Sequence, residues 1–325
     1  MSNIEVTGLS FEENAAGVFP LVLTNTSPTA TLTDSKAWIE ENLEGIKDRL
    51  STSGAVLFRG FPVQSDQDLD TVIASFDYQT FTYEESLSNA VRVNRTQRVF
   101  TANEAPPSEG IFLHNEMAQT PIYPTRLFFF CEQAAETQGE TSLCRCDQLY
   151  AKLKEIDPDF IKNCEEKGVK YTNIMPNGDN PESGQGRGWQ TTLGVKTKQE
   201  AELRLKELGY SWTWLPDGSL GATSAILPAV KHLKRGTSVF FNQLIAAYQG
   251  WGDVSHFGAK IICFGDDSDI TDEQMQRVIK AADDLIFDVP WQNGDIALVD
   301  NFMAMHGRRP FTGTRKVLAS FATET

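Results

Sequence analysis

From residue 91 onward the chain is a succession of short apolar or alternating runs, each closed by turn residues: AVRVNRT, IFLHNEM, RLFFFCEQ, ETSLCRC, TSVFFNQL, KIICFG, LIFDVPW, DIALVDNF and KVLASFA. Their length and their β-branched and aromatic content suit strands rather than helices. Many short strands at such intervals point to a sandwich or barrel of the jelly-roll kind, mainly β with flanking helices. QNGD at 292–295 reads as a hairpin turn, because Asn-Gly accepts positive φ at both central positions.

Helices frame these runs. DSKAWIEENLEGIKDRLSTSG carries Trp38, Ile39, Leu43, Ile46 and Leu50 at helical spacing, with Asp34 or Ser35 as the expected N-cap and Gly54 as the stop. AVLFRGFPV follows as a short buried strand, then a helix from about Asp66 to Phe76 opened by Ser65. A later helix spans Asp272 to about Leu285, with Thr271 and Gln274 placed as a capping box. With 325 residues and 40% hydrophobic content the chain suits one domain over 1–325. MPNGDNPESGQGRG is the clearest loop, read as an active-site lid inserted around 172–190.

Asp and Glu outnumber Lys and Arg by 44 to 29, giving a net charge of −15. Such a field repels phosphate backbones and anionic lipid, so nucleic-acid and membrane-surface roles are disfavoured. The group Lys231, His232, Lys234 and Arg235 is read as a solvated turn. No stretch has the roughly 18 apolar residues of a membrane span, and the amino terminus lacks a basic-then-apolar leader, so a cytoplasmic location is expected. Five cysteines, an odd number over a long chain, argue for reduced thiols; Cys144 and Cys146 are both read as strand residues.

The chemistry concentrates in GIFLHNEMAQTP, residues 110–121. In a strand, residues i and i+2 share a face, so His114 and Glu116 present an imidazole and a carboxylate side by side. Non-haem iron(II) takes two histidines and one carboxylate on one face and keeps three positions open. His306, followed by Gly307, is the best second histidine among the four in the chain, and Arg315 nine residues later supplies an anion receptor. Taken singly each piece is weak, since a lone strand histidine is more often hydrogen-bonded core or surface than a ligand. His232 and His256 have no partner pattern, and Trp212 and Trp214 alternate as core residues of a strand.

The order of the pieces is more specific, and it resembles the iron(II)/2-oxoglutarate dioxygenases of the taurine dioxygenase (TauD/TfdA) family. The resemblance runs from about Arg98 to Phe321 through LHNEM, QGETSLCRCDQLY, FFNQ at 240–243 and DNFMAMHGRRPFTGTR, with AVLFRGF at 55–61 matching the family's amino-terminal strand. Around HNEM, FFFC and GRGWQ it is similar to the amino-acid hydroxylases of syringomycin-type peptide pathways. The resemblance implies a double-stranded β-helix core of the clavaminate synthase-like kind. His114, Glu116 and His306 would bind Fe(II), and Thr141 and Arg315 would hold the distal carboxylate of 2-oxoglutarate, with O2 as the second cosubstrate. Two departures stand out: glutamate replaces the commoner aspartate, and Gln138-Gly139 stands where many members have Gly-Gly.

Halogenases of this fold carry glycine or alanine at the carboxylate position, so Glu116 predicts oxygenation. The expected reaction is hydroxylation of an unactivated carbon in an amino acid or related small molecule of a natural-product pathway, with release of succinate and CO2. Desaturation or cyclisation by the same chemistry, or a non-catalytic jelly-roll binding protein, are the alternatives. Arg187, Trp189, Asn242 and Arg308 are the candidate substrate contacts. A substrate tethered to an acidic carrier protein is less favoured than a free one by the acidic field.

Overall fold

The computed structural model describes the chain except residues 1–5, 11–12, 15–16, 83–85, 181–185, 235, 253, 255–258 and 325. His256 and Arg235 therefore lie outside the described residues. Two sheets carry the architecture. The larger has eight strands, in the order Val6–Ser10, Leu21–Asn25, Ala55–Arg59, Ile296–Asp300, Arg126–Gln133, Lys316–Thr323 and Gln79–Thr80, with Phe100–Thr101 also paired to Lys316–Thr323. The smaller is ordered Phe287–Val289, Thr141–Arg145, Ala304–Arg308, Ile111–His114. Pairing is antiparallel in both, except that Leu21–Asn25 and Ala55–Arg59 run parallel, joined across helix Leu32–Ser53.

The central strands of the larger sheet read as unbroken apolar runs because both of their faces are buried. Val56, Phe58, Phe128, Phe130 and Leu298 pack against Ile39, Ile46 and Leu50 of the long helix. Their neighbours Leu57, Leu127, Phe129, Val299 and Phe321 point the other way, into a layer shared with Leu143 and Ala304 of the smaller sheet. The far face of that sheet, Cys144 and Met305, is covered by helices Cys146–Ile156, Pro158–Lys167 and Asp272–Asp283. Strand alternation thus turns Phe129, Leu143 and His306 toward the space between the sheets.

Several local expectations are corrected. The long helix is capped by Thr31, not Asp34 or Ser35: Asp34 is the third helical residue, its N–H donating to the Thr31 hydroxyl while its carboxylate accepts the Thr31 N–H, a reciprocal box. AVRVNRT forms no strand; Val93 is tied instead to Thr101, through its hydroxyl at 3.0 Å and its N–H at 2.9 Å. The QNGD turn exists, with only Gly294 at positive φ. It connects strands of different sheets, because Arg59 pins Pro290 and Asp295 together just before the second strand starts. Cys144 is a strand residue, but Cys146 opens a helix. The thiols are all free and buried.

Of the span 172–190, Thr172–Met175 continues strand Val169–Met175 and Trp189 begins helix Trp189–Leu193. Lys231, expected in a solvated turn, stands in strand Val230–His232 with its ammonium 5.1–5.8 Å from the rings of Tyr123, Phe241 and Phe302. Among the described residues no helix is long and apolar enough to cross a membrane.

Candidate active site

His306 lies in the middle of strand Ala304–Arg308, and its register partners are Leu143 on one side and His114 on the other. The two imidazoles therefore face each other across a strand pair, with ring centroids 4.3 Å apart. The Phe129 ring, from the larger sheet, closes in at 5.0 Å from His306. The register shifts after His306, and a Cβ on Gly307 would come within 2.5 Å of the Ile111 carbonyl oxygen. Only glycine lets the two strands approach so closely here.

Glu116 reaches the site differently from the expectation. The strand ends at His114, and Glu116 enters a turn whose next residue, Met117, has φ 58°. Its N–H donates to the Asn301 side-chain oxygen at 2.8 Å, and Asn301 Nδ2 donates to its carbonyl at 3.0 Å. Asn115, between the two candidate ligands, turns away and donates to the Asn301 carbonyl at 2.6 Å. A buried amide network thus ties the HNE turn to the turn that precedes His306.

His114, Glu116 and His306 form a group of possible metal donors whose ligand atoms all lie within 4.8 Å of one another. His114 Nδ1 lies 2.8 Å from the Phe112 carbonyl oxygen, which can only accept, so Nδ1 carries the proton and Nε2 is left with the lone pair a metal takes. Burial, then the adjacent His306, draw the His114 pKa down to about 4. For Glu116, burial opposes ionisation, but Arg92 first, then His306 and His114, reverse it and hold the carboxyl down at about 2. One neutral imidazole and one carboxylate thus stand ready at neutral pH beside His306, a donor set that fits a divalent transition metal.

Arg92 is one residue that sequence reasoning missed. Its guanidinium donates to Glu116 Oε2 at 3.2 Å, and the two side chains are only 6% and 4% exposed. Nothing in AVRVNRT marks it, because the contact depends on how a non-strand segment returns to the site.

The donor group lines a cavity of about 610 Å3 together with Phe129, Thr141, Arg308, Arg315, Gln119, Asn173 and Trp251. Trp291 Nε1 donates to the Thr141 hydroxyl at 3.0 Å, and Arg315 Nη2 lies 3.4 Å from the same oxygen. Arg315 Nε donates to the Gly139 carbonyl at 2.7 Å. Among the described residues no carboxylate pairs with Arg315. Burial, and after it the charge of Arg308, lower its pKa to about 10, a penalty that a bound carboxylate relieves. Gln138 (φ 58°) and Gly139 (φ 74°) both lie at positive φ, a region that glycine enters without penalty and a glutamine does not.

The candidate substrate contacts divide. Arg308 lines the cavity, but its two terminal nitrogens donate to the carbonyls of Asn103, Ala105, Pro106 and Glu109, so it clasps that segment. Arg187 is buried against Ser86, Ser88 and Thr191, and Trp189 packs on Trp214 at 5.1 Å; neither lines the cavity. Asn242 is fully buried, its amide donating to the Ala229 carbonyl and accepting the Leu244 N–H. Its neighbour Gln243 lines the cavity in its place. Strand alternation does not apply where a helix starts at Leu244, which is why the neighbouring side chain was missed.

Comparison with known proteins places the chain in a family. Residues 18–320 match the model of the taurine catabolism dioxygenase TauD, TfdA family. A clavaminate synthase-like protein of Arabidopsis thaliana is 38% identical over 272 residues, 83% of this chain and 82% of its own. The dapdiamide synthesis protein DdaC of Enterobacter agglomerans is 28% identical over 304 residues, 88% of each chain. Among solved structures, PvcB of Pseudomonas aeruginosa superimposes with a TM-score of 0.55 at 14% identity, covering 99% of this chain and 92% of that one. An asparagine oxygenase, in complex with Fe(II), 3-hydroxyasparagine and succinate, does so with a TM-score of 0.54 at 12% identity, covering 90% and 83%. At those identities the superpositions speak for the fold alone, whereas the family match spans nearly the whole chain: the protein belongs to the TauD/TfdA family of iron(II)- and 2-oxoglutarate-dependent dioxygenases.

Proposed function

We propose that the protein hydroxylates an unactivated carbon of a small amino-acid-like substrate in a specialised biosynthetic pathway, and that it does so within one domain built on a double-stranded β-helix. The observation that carries this reading is the juxtaposition of the His114, Glu116 and His306 donors with an uncompensated guanidinium, Arg315, in one cavity. The name of one relative supports the substrate class: it is a dapdiamide synthesis protein, 28% identical over 88% of this chain.

In this reading His114, Glu116 and His306 hold iron(II), and Arg315 with Thr141 binds the far carboxylate of 2-oxoglutarate. A guanidinium fork meets a carboxylate in two charge-assisted hydrogen bonds, and Trp291 keeps the Thr141 hydroxyl oriented by donating to it. Iron supplies O2 activation coupled to oxidative decarboxylation, so that substrate C–H, O2 and 2-oxoglutarate become C–OH, succinate and CO2. The chain's own part is orientation: Phe129 packs beside His306, and the clasp of Arg308 on residues 103–109 keeps that wall of the cavity in place. The substrate is expected as a free small molecule rather than one tethered to a carrier protein.

The test is anaerobic addition of Fe(II) and 2-oxoglutarate, followed by succinate release across a panel of amino acids and their amides. The reading expects a metal-to-ligand charge-transfer band that His114→Ala lacks, and succinate formation that rises with one member of the panel. A folded wild type that behaves like His114→Ala would refute the ligand assignment.

A further inference from the structure

We propose that Arg92 is a positioning residue for the metal-binding carboxylate: it fixes the rotation of Glu116 so that one oxygen is offered to iron, and the positions for 2-oxoglutarate and O2 stay open. The inference rests on the ligand assignment proposed above. A glutamate arm has one more rotatable bond than an aspartate arm, and a freely turning carboxylate can place both oxygens on one metal ion. In this chain the arm is held at both ends. Asn301 fixes the backbone of Glu116, and Arg92 Nη2 fixes Oε2, which also lies 3.4 Å from His306 Nε2. A carboxylate pinned between Arg92 and His306 has to break from Arg92 before it can turn and chelate.

The guanidinium is itself held by the core. Its central carbon lies 4.9 Å from the Phe321 ring centroid and 5.5 Å from that of Phe100, and those two rings pack edge to face at 4.9 Å. Phe321 belongs to strand Lys316–Thr323 of the larger sheet and Phe100 to a strand paired with it, so the cation's place is set by rigid elements. Electrostatics pull in two directions: Arg92 helps keep the buried Glu116 carboxylate ionised, while its positive charge beside the ligand repels a divalent cation. The contribution that survives this opposition is geometry, the hydrogen bond that fixes Oε2.

The experiment compares wild type, Arg92→Met, Arg92→Lys and His114→Ala as full-length proteins loaded anaerobically with cobalt(II), whose visible spectrum reports coordination. Methionine keeps the apolar contact with the two rings but removes the donor. Arg92→Met is expected to bind cobalt within about threefold of wild type, to show an altered spectrum before 2-oxoglutarate is added, and to need about tenfold more 2-oxoglutarate to reach the final spectrum, the loss of one charge-assisted contact. Arg92→Lys, with charge and one donor retained, is expected to recover most of that loss. In a Glu116→Asp background the same Arg92→Met change should cost less than about threefold. Unchanged 2-oxoglutarate affinity and spectrum in folded Arg92→Met would overturn the proposal. Should Arg92→Met not fold, a folded Arg92→Leu with wild-type 2-oxoglutarate affinity and spectrum would do the same. Cobalt binding that does not differ between wild type and His114→Ala would instead overturn the ligand assignment beneath it.

Discussion

Asn301→Asp isolates the amide network beneath the donor group. Asn301 is fully buried; it accepts the Glu116 N–H at 2.8 Å and donates to the carbonyls of Glu116 at 3.0 Å and Pro124 at 2.7 Å. Aspartate keeps the shape and the acceptor, but places a second oxygen where the amide nitrogen faced two carbonyls. Leaving two buried acceptors unpaired costs about 1–3 kcal/mol each, and a buried charge without a partner adds to it, so the variant should lose about 3–5 kcal/mol at pH 7.5. A protonated carboxyl restores one donor, so the folded state raises the new group's pKa above its unfolded value of about 3.9. With a raised acid pKa, the penalty is smallest below about pH 4 and grows as pH rises from there to the folded pKa. Chemical denaturation of both metal-free proteins, with chelator present, from pH 4.5 to 8 measures the difference. A loss under about 1 kcal/mol at pH 7.5 would refute the assignment of Asn301 as the strut between the two turns.

Four further outcomes are expected. Arg315→Lys should weaken 2-oxoglutarate binding to the manganese-loaded protein by about 10- to 100-fold in calorimetry, because an ammonium cannot reproduce the guanidinium fork. Arg308→Met should speed amide hydrogen exchange over residues 103–109, whose carbonyls lose their donor, while manganese affinity stays within about threefold of wild type. Burial raises the pKa of Cys131 and Cys144 to about 12, so at pH 8 they remain neutral thiols; a thiol reagent should label them only after denaturant is added, with Cys263 the first to react. Gln138→Gly should raise the unfolding midpoint by an amount worth about 1 kcal/mol or less, by removing a side chain from the left-handed conformation.

The features legible in the sequence were those with local causes. Ser65 and Thr271 cap their helices as read, since a hydroxyl three residues before a hydrogen-bonding side chain forms a box whatever surrounds it. RLFFFCEQ is a strand because its apolar content suits burial on both faces. The readings that failed concern partners distant in the chain. QNGD looks like a hairpin until Arg59 draws Pro290 and Asp295 together, and AVRVNRT looks like a strand until Thr101 bonds Val93. Arg308 and Asn242 have the right chemistry for substrate, but backbone groups elsewhere in the chain use it.

The most instructive departure is at the site itself. Had IFLHNEM run on as a strand, the Cα atoms of His114 and Glu116 would stand about 6.6–6.8 Å apart along an extended line, each side chain perpendicular to the sheet. The carboxylate would then lie beyond the imidazole of His306, which sits directly across from His114. Ending the strand at His114 and turning through Met117 at positive φ folds the chain back, and all three donors gather within 4.8 Å. The turn costs a residue in a sparsely populated conformation, of order 1 kcal/mol, which the hydrogen bonds between Asn301 and Glu116 offset. The two donors of the H-x-E pattern come together for a reason other than strand alternation: two residues of spacing serve here because the strand stops between them, and the glutamate's extra methylene then needs the restraint that Arg92 is placed to give.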